Sequence, residues 1–231
     1  LSICFDRIPI QPGTLMPVHK VGVAAYELDD AEFEFLPNAV TCSPAEYQEL
    51  EDVLLGLGSI KRDTRPRHEA ADAEDPECAG YTDSGVTLRP DTKPNALVAK
   101  VLAHANRGRA RKFDGCVVNH YENGEDNVGF HRDDEKEGEE VRSYSFGAGR
   151  LFVMREFVSK KRKRDECAPT LQLQLQLKPM RATFMLAHGS CGILRGPAAH
   201  TKWEQGVPVM KRVTASSIRI TPRICFGGRT S

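Results

Sequence analysis

From about residue 113 to residue 223 the chain is a succession of short β-prone segments broken by turn-forming or charged stretches, and nothing else in it constrains the fold as strongly. The segments are VVNHY (117–121), VRSYSFG (141–147), RLFVMREF (150–157), LQLQLQLK (171–178), TFMLAHG (183–189), CGILR (191–195) and SSIRITPR (216–223). LQLQLQL is the cleanest, with leucines on one face and glutamines on the other, the period of a strand half in water. Two helices precede the series. Residues 43–58 have Ser43 as N-cap, Pro44 at the first helical position and Glu46 closing a capping box. Tyr47, Leu50, Val53, Leu54 and Leu57 then share one face, and Gly58 ends the pattern. Residues 94–106 place Leu97, Val98, Val101 and Leu102 on one stripe, with Gly108 following. Between the helices, HEAADAEDPE (68–77) reads as an irregular acidic loop. Helices first and many short strands after them predict an α+β fold, an antiparallel sandwich or jelly roll with the helices packed outside.

With 231 residues and 40% hydrophobic content, the chain can bury one sizeable core without disulfides. The expected division is an N-terminal segment, 1–40, packed on the core by an added strand near VGVAAYEL (21–28), and a main domain, 41–231. No run of 18 apolar residues and no secretory signal pattern is present, so the expectation is an intracellular monomer away from membranes. The seven cysteines are odd in number and contain no CxxC, which suits reduced thiols and argues against a zinc site of paired cysteines.

Zero net charge conceals a division: residues 1–140 carry 15 Lys and Arg against 28 Asp and Glu, and residues 141–231 carry 17 against 4. The halves can neutralise each other in the fold, and the basic half also suits a phosphate-backbone partner. The run SKKRKRDE (159–166) reads as a solvated hairpin tip, with phosphate binding or a nuclear import signal as alternatives.

Chemistry concentrates in FDGCVVNHYENGEDNVGFHRDDE (113–135). His131 and Asp133 stand at i and i+2 where a strand should end, so both side chains project to one face. That geometry suits adjacent ligands of an octahedral iron, completed by a distant histidine.

Asn119-x-Tyr121, HRDDE (131–135), SFGAGRLFVMR (145–155), LAHGS (186–190), Trp203 before GVP and Arg223 together resemble the AlkB family, nearest its eukaryotic DNA-repair branch. Pro66-Arg67 and Tyr81-Thr82-x-Ser84-Gly85 extend the resemblance, which covers roughly 43–223. It implies a double-stranded β-helix holding Fe(II) and 2-oxoglutarate. The implied reaction oxidises N-alkyl groups on nucleobases of DNA or RNA, an N-methyl carbon leaving as formaldehyde. His131 and Asp133 become metal ligands, and Asn119, Tyr121 and Arg223 hold 2-oxoglutarate, an arginine fork meeting a carboxylate bidentately. Arg67, Tyr81 and the slot of Asp83 face the base, and Asp134 and Glu135 are placed to read an exocyclic amine.

Three departures from the family pattern fall at three different functions. Where W-x-H-[SG]-[VL]-P is usual, the chain has Trp203-Glu204-Gln205-Gly206-Val207-Pro208, so the third ligand is either Gln205 or His200, five residues earlier. Where R-x5-R is usual, Ser217 takes the first place, and Arg219, on the same strand face, can serve from a shifted origin. Asp83 replaces the aromatic that stacks on a flipped base, and the basic segment GSIKRDTRPR (58–67) lacks a hydrophobic finger. The expectation is an active dioxygenase. The alternatives are a catalytically impaired module that binds nucleic acid or protein, and oxygenase chemistry on another substrate.

Overall fold

The computed structural model describes residues 8–9, 24–27, 31–56, 67–73, 80–83, 86–88, 95–133, 140–157, 181–196 and 199–224. Helix α1 (Pro44–Gly56) starts as its capping box dictates: the Ser43 hydroxyl accepts the Glu46 N–H at 3.2 Å, and the Glu46 carboxylate accepts the Ser43 N–H at 2.9 Å. Helix α2 (Ala96–Ala105) starts at Asn95, whose side-chain oxygen accepts the Leu97 N–H at 2.8 Å. Its stripe of Leu97, Val98, Val101 and Leu102 is buried throughout. In α1 only part of the expected face is covered: Leu50 and Leu54 are buried, while Val53 stays 37% exposed. The buried pair at i and i+4 defines the stripe toward the sheet, and Val53 lies one residue, about 100°, around the helix from Leu54.

The strands are β1 (Ile8–Pro9), β2 (Ala24–Glu27), β3 (Glu32–Leu36), β4 (His68–Ala73), β5 (Tyr81–Asp83), β6 (Val86–Leu88) and β7 (Gly115–Tyr121). Then follow β8 (Val128–His131), β9 (Val141–Gly147), β10 (Arg150–Glu156), β11 (Arg181–Leu186), β12 (Ser190–Arg195), β13 (Trp203–Val207) and β14 (Ser217–Arg223). They form a large sheet in the order β1-β2-β3-β12-β9-β14-β7-β4, a small sheet β11-β10-β13-β8, and the pair β5-β6. All pairings except β1 with β2 are antiparallel.

The two larger sheets share one apolar core built from Tyr121, Leu194, Phe152, Met154, Phe184, Leu186, Trp203 and Val207. This mostly antiparallel pair of facing layers fits a jelly-roll fold. Both helices cover the opposite face of the large sheet, against Val118, Tyr144, Phe146, Ile193, Ile218 and Ile220. Phe33 of β3 enters the core between the sheets and stacks on Phe184 with 3.9 Å between centroids. At the end of β9, Gly147 has φ +78°, and a Cβ there would meet the Ser216 carbonyl at 2.7 Å, so only glycine fits that turn.

Two expectations are corrected. The stretch read as an irregular loop begins instead with β4, paired to β7 from His68 opposite His120 to Ala73 opposite Gly115. The unpaired edge of β7 supplies the ladder, and the acidic side chains are accommodated locally: Glu69 pairs with Arg67, and Asp72 accepts the Asn95 N–H at 3.0 Å ahead of α2. Residues 203–207, absent from the series of β-prone segments, likewise form a strand, β13, which takes in Gly206 and Val207 of GVP and is held between β10 and β8. The LQLQLQL segment and the basic run 159–166 lie outside the described residues. Cys42, Cys116 and Cys191 are free thiols, that of Cys191 pushed up to about 12 by burial. Among the described residues no helix is long and apolar enough to cross a membrane.

Two outcomes test this account. Leu54→Ala should cost about 2–5 kcal/mol in urea unfolding, whereas Val53→Ala should stay within about 0.5 kcal/mol. The Glu46 carboxyl is lowered to about 2, first by its bond to Lys100 and then by those from Ser43. Because the folded value is depressed, its contribution is present above the unfolded value of 4.5 and lost as pH falls toward about 2. Glu46→Gln should therefore flatten the stability profile across that window in acid titrations of the thermal midpoint.

Candidate active site

Alternation along the central strands of the large sheet separates two environments. Cys116 and Val118 of β7, Tyr144 and Phe146 of β9, and Ile218 and Ile220 of β14 face the helices. The intervening residues, Asn119, Tyr121, Ser143, Arg219, Thr221 and Arg223, point between the sheets into a cavity open to solvent at its mouth. His131, Asp133 and Gln205 reach the same cavity from the small sheet, and Arg67 and Tyr81 line its rim.

His131 ends β8, just after a bulge: residues 131 and 128 oppose 205 and 207, so β8 carries one extra residue there. The His131 Nδ1 lies 2.9 Å from the Gly129 carbonyl. A carbonyl only accepts, so Nδ1 carries the proton and Nε2 keeps its lone pair. That Nε2 stands 3.8 Å from Asp133 Oδ1. Arg223 Nη2 donates to the same Oδ1 at 2.9 Å, and the Gln205 amide nitrogen donates to Oδ2. Burial pushes the Asp133 carboxyl up, yet its positive neighbours, Arg223 foremost, outweigh it and hold the group below the ordinary carboxylate value. Gln205 sits directly opposite His131 in the ladder, and its Oε1 is buried without a hydrogen-bond partner. His200 is buried in the turn ahead of β13. Among the described residues no three His, Cys, Asp or Glu side chains converge as a metal-binding group.

Deeper in the cavity, Arg219 is only 8% exposed; its Nη2 donates to Ser143 Oγ at 2.7 Å and its guanidinium lies 4.6 Å from the Phe152 ring centroid. The Arg219 Nε and the Tyr121 hydroxyl are both buried, near each other but outside hydrogen-bond geometry. Burial pushes the Tyr121 hydroxyl up against the pull of Arg219, Arg67 and Arg150, so it remains a neutral donor. Asn119 Oδ1 accepts from Arg67 Nε at 2.7 Å, which fixes the amide and turns its NH₂ away from Arg67. Arg223 lies 5.7 Å from the Tyr81 ring centroid.

An imidazole nitrogen, an ionised carboxylate and an unpartnered amide oxygen form a donor set suited to a divalent iron. A buried guanidinium beside an unpartnered hydroxyl suits the carboxylate of a small acid. The residues present therefore fit both groups that the sequence pattern implies.

Asp83 closes β5 opposite Val86, and Asp134 and Glu135 lie outside the described residues. Ser143, Thr221, Glu69 and Arg132 also line the cavity and were not singled out from sequence. Strand parity beside Tyr144 and Ile220 was the available signal for Ser143 and Thr221. Glu69 was hidden by the loop reading, and Arg132 by its place between two inward-pointing residues. Trp203 and His188 are packing groups: Trp203 is core, and His188 Nδ1 accepts the Gly147 N–H at 3.0 Å while Nε2 donates to the Cys42 carbonyl at 3.2 Å.

Residues 60–229 match the 2OG-Fe(II) oxygenase superfamily. Mouse DNA oxidative demethylase ALKBH2 is 34% identical over 147 residues, covering 62% of this chain and 56% of its own. The human protein of that name is also 34% identical over 147 residues, with 51% of its own length covered. The Arabidopsis thaliana one is 28% identical over 120 residues, 49% of this chain and 38% of its own. The chain thus spans about half the length of the curated relatives it matches. A solved structure, that of OsALKBH1, aligns with a TM-score of 0.48 at 15% identity, over 83% of this chain and 96% of that one. Since the matched span takes in every strand that lines the cavity, the chain belongs to the 2OG-Fe(II) oxygenase superfamily and, within it, to the AlkB family.

Proposed function

We propose that this chain is an Fe(II)- and 2-oxoglutarate-dependent dioxygenase that oxidises N-alkylated bases in DNA or RNA. The observation that carries the reading is the convergence of the His131 and Asp133 pair with the buried, carboxylate-free Arg219 on one cavity. Iron, when bound, supplies oxygen activation coupled to 2-oxoglutarate decarboxylation. His131 Nε2 and Asp133 hold it, and the Arg223 guanidinium keeps Asp133 ionised and oriented. Arg219, with the Tyr121 hydroxyl, takes a carboxylate of the co-substrate in surroundings from which water is largely excluded. The Asn119 NH₂, aimed by Arg67, donates to a second oxygen. Arg67 and Tyr81 meet the extruded base, with Asp83 in the slot that an aromatic usually fills, and Asp134 and Glu135, outside the described residues, are the candidates to read an exocyclic amine.

The names of the curated relatives support a nucleic-acid substrate, and so does the excess of basic residues over 141–231. An intracellular protein with access to the nucleus follows from that substrate. We further propose 41–231 as the dioxygenase domain with 1–40 as an N-terminal segment packed on its core, a packing supported by the pairing of β3 with β12 and by the Phe33 ring between the sheets. One observation favours a second reading, a metal-poor binding module: a neutral amide, Gln205, stands where an imidazole is usual.

Succinate release with Fe(II), 2-oxoglutarate and methylated DNA or RNA oligonucleotides tests both. His131→Ala and Asp133→Ala should abolish release, and unchanged turnover in either would remove the dioxygenase reading. Arg219→Met should raise the KM for 2-oxoglutarate about 10- to 100-fold, hydrogen bonds to charged groups being worth about 1.5–3 kcal/mol. A silent native chain that still binds oligonucleotides, with affinity falling steeply as salt rises, would favour the binding module.

A further inference from the structure

Resting on the metal site proposed above, we infer that Gln205 completes it through the side-chain oxygen Oε1, so that the centre is His131, Asp133 and Gln205. Three observations lead there. Residues 203, 205 and 207 alternate inward on β13, and 205 stands opposite His131, so the Gln205 side chain enters the cavity beside the imidazole. Its amide can be oriented in only one sensible way: with the oxygen toward Asp133 two acceptors would face each other, so the NH₂ is the end that meets Oδ2. Oε1 is thereby turned to the other side of the same amide, where it is buried and finds no hydrogen-bond partner. A buried acceptor without a partner, on a side chain that is paired across the ladder with His131 and hydrogen-bonded to Asp133, is an arrangement that a divalent cation relieves.

The competing residue is His200. It is buried in the turn ahead of β13, and among the described residues it does not complete a group of three ligands with His131 and Asp133. An amide oxygen is a weaker donor to Fe(II) than imidazole, so the centre binds its metal less tightly than a two-histidine site on the same scaffold.

Co(II) binding to the full chain, followed by calorimetry and by the visible absorption of the ion, tests the assignment without turnover. Gln205→Ala and Gln205→Asn, the second keeping an amide but drawing its oxygen back, should each weaken Co(II) binding by about tenfold or more. Gln205→His should tighten it by a similar factor and change the Co(II) spectrum, and His200→Ala should leave the affinity within about twofold. Thermal unfolding of each variant identifies any that fails to fold. Weakening by His200→Ala with unchanged affinity in Gln205→Asn would overturn the assignment in favour of His200. If His131→Ala and Asp133→Ala leave Co(II) binding unchanged, the metal site itself is misplaced, and the underlying reading fails with it.

Discussion

Alternation of side chains across β7, β9 and β14 is the constraint on which the rest of the molecule depends. One face of these strands is apolar and sealed by α1 and α2; the other presents Asn119, Ser143, Arg219 and Arg223 to the space between the sheets. Slipping any one of them by a single residue would bury its polar set against the helices and turn its apolar set into the cavity. Register in the ladder of β7, β14 and β9 therefore maintains the core and the site together.

Within that frame, electrostatics decide the local arrangement. Charges buried this deeply persist only when they are paired or hydrogen-bonded. Asp133 meets the requirement with Arg223 and Gln205, whereas Arg219 meets it only in part, through Ser143 and the face of Phe152. Among the ten buried side-chain atoms of the described residues that lack a hydrogen-bond partner, those on this cavity include Arg219 Nε, Tyr121 Oη and Gln205 Oε1. Elsewhere in the fold such orphans would be plain destabilising features. Their concentration in one cavity of an AlkB-family chain gives the proposed metal and co-substrate sites a physical basis in this molecule's own contacts.

Much of the fold was legible in the sequence where a local signal sufficed. The capping box at Ser43 and Glu46 and the apolar stripe of α2 rest on contacts within one or two turns. The segments that became β7, β9, β10, β11, β12 and β14 carry their own β-prone composition. Where structure arises from a distant partner, local reading failed. β4 is acidic and alanine-rich and exists because β7 has an open edge, and β13 has neighbours on both sides that no pattern within 203–207 announces. Val53 fell outside the buried stripe because the angle at which α1 meets the rest of the molecule is set by packing.

By itself the sequence determined the class of fold, the identity of the polar residues that alternate inward, and the family to which the chain belongs. These follow from periodicity and motif, which are properties of neighbouring residues. Only the tertiary structure decided which of those residues meet: that Gln205 faces His131 across two strands, that Arg223 reaches Asp133 from 90 positions away, and that Arg219 lies buried with no carboxylate partner among the described residues. Strand pairing and burial bring groups together over distances that no local rule spans, and the charge state of each group depends on what it then finds beside it.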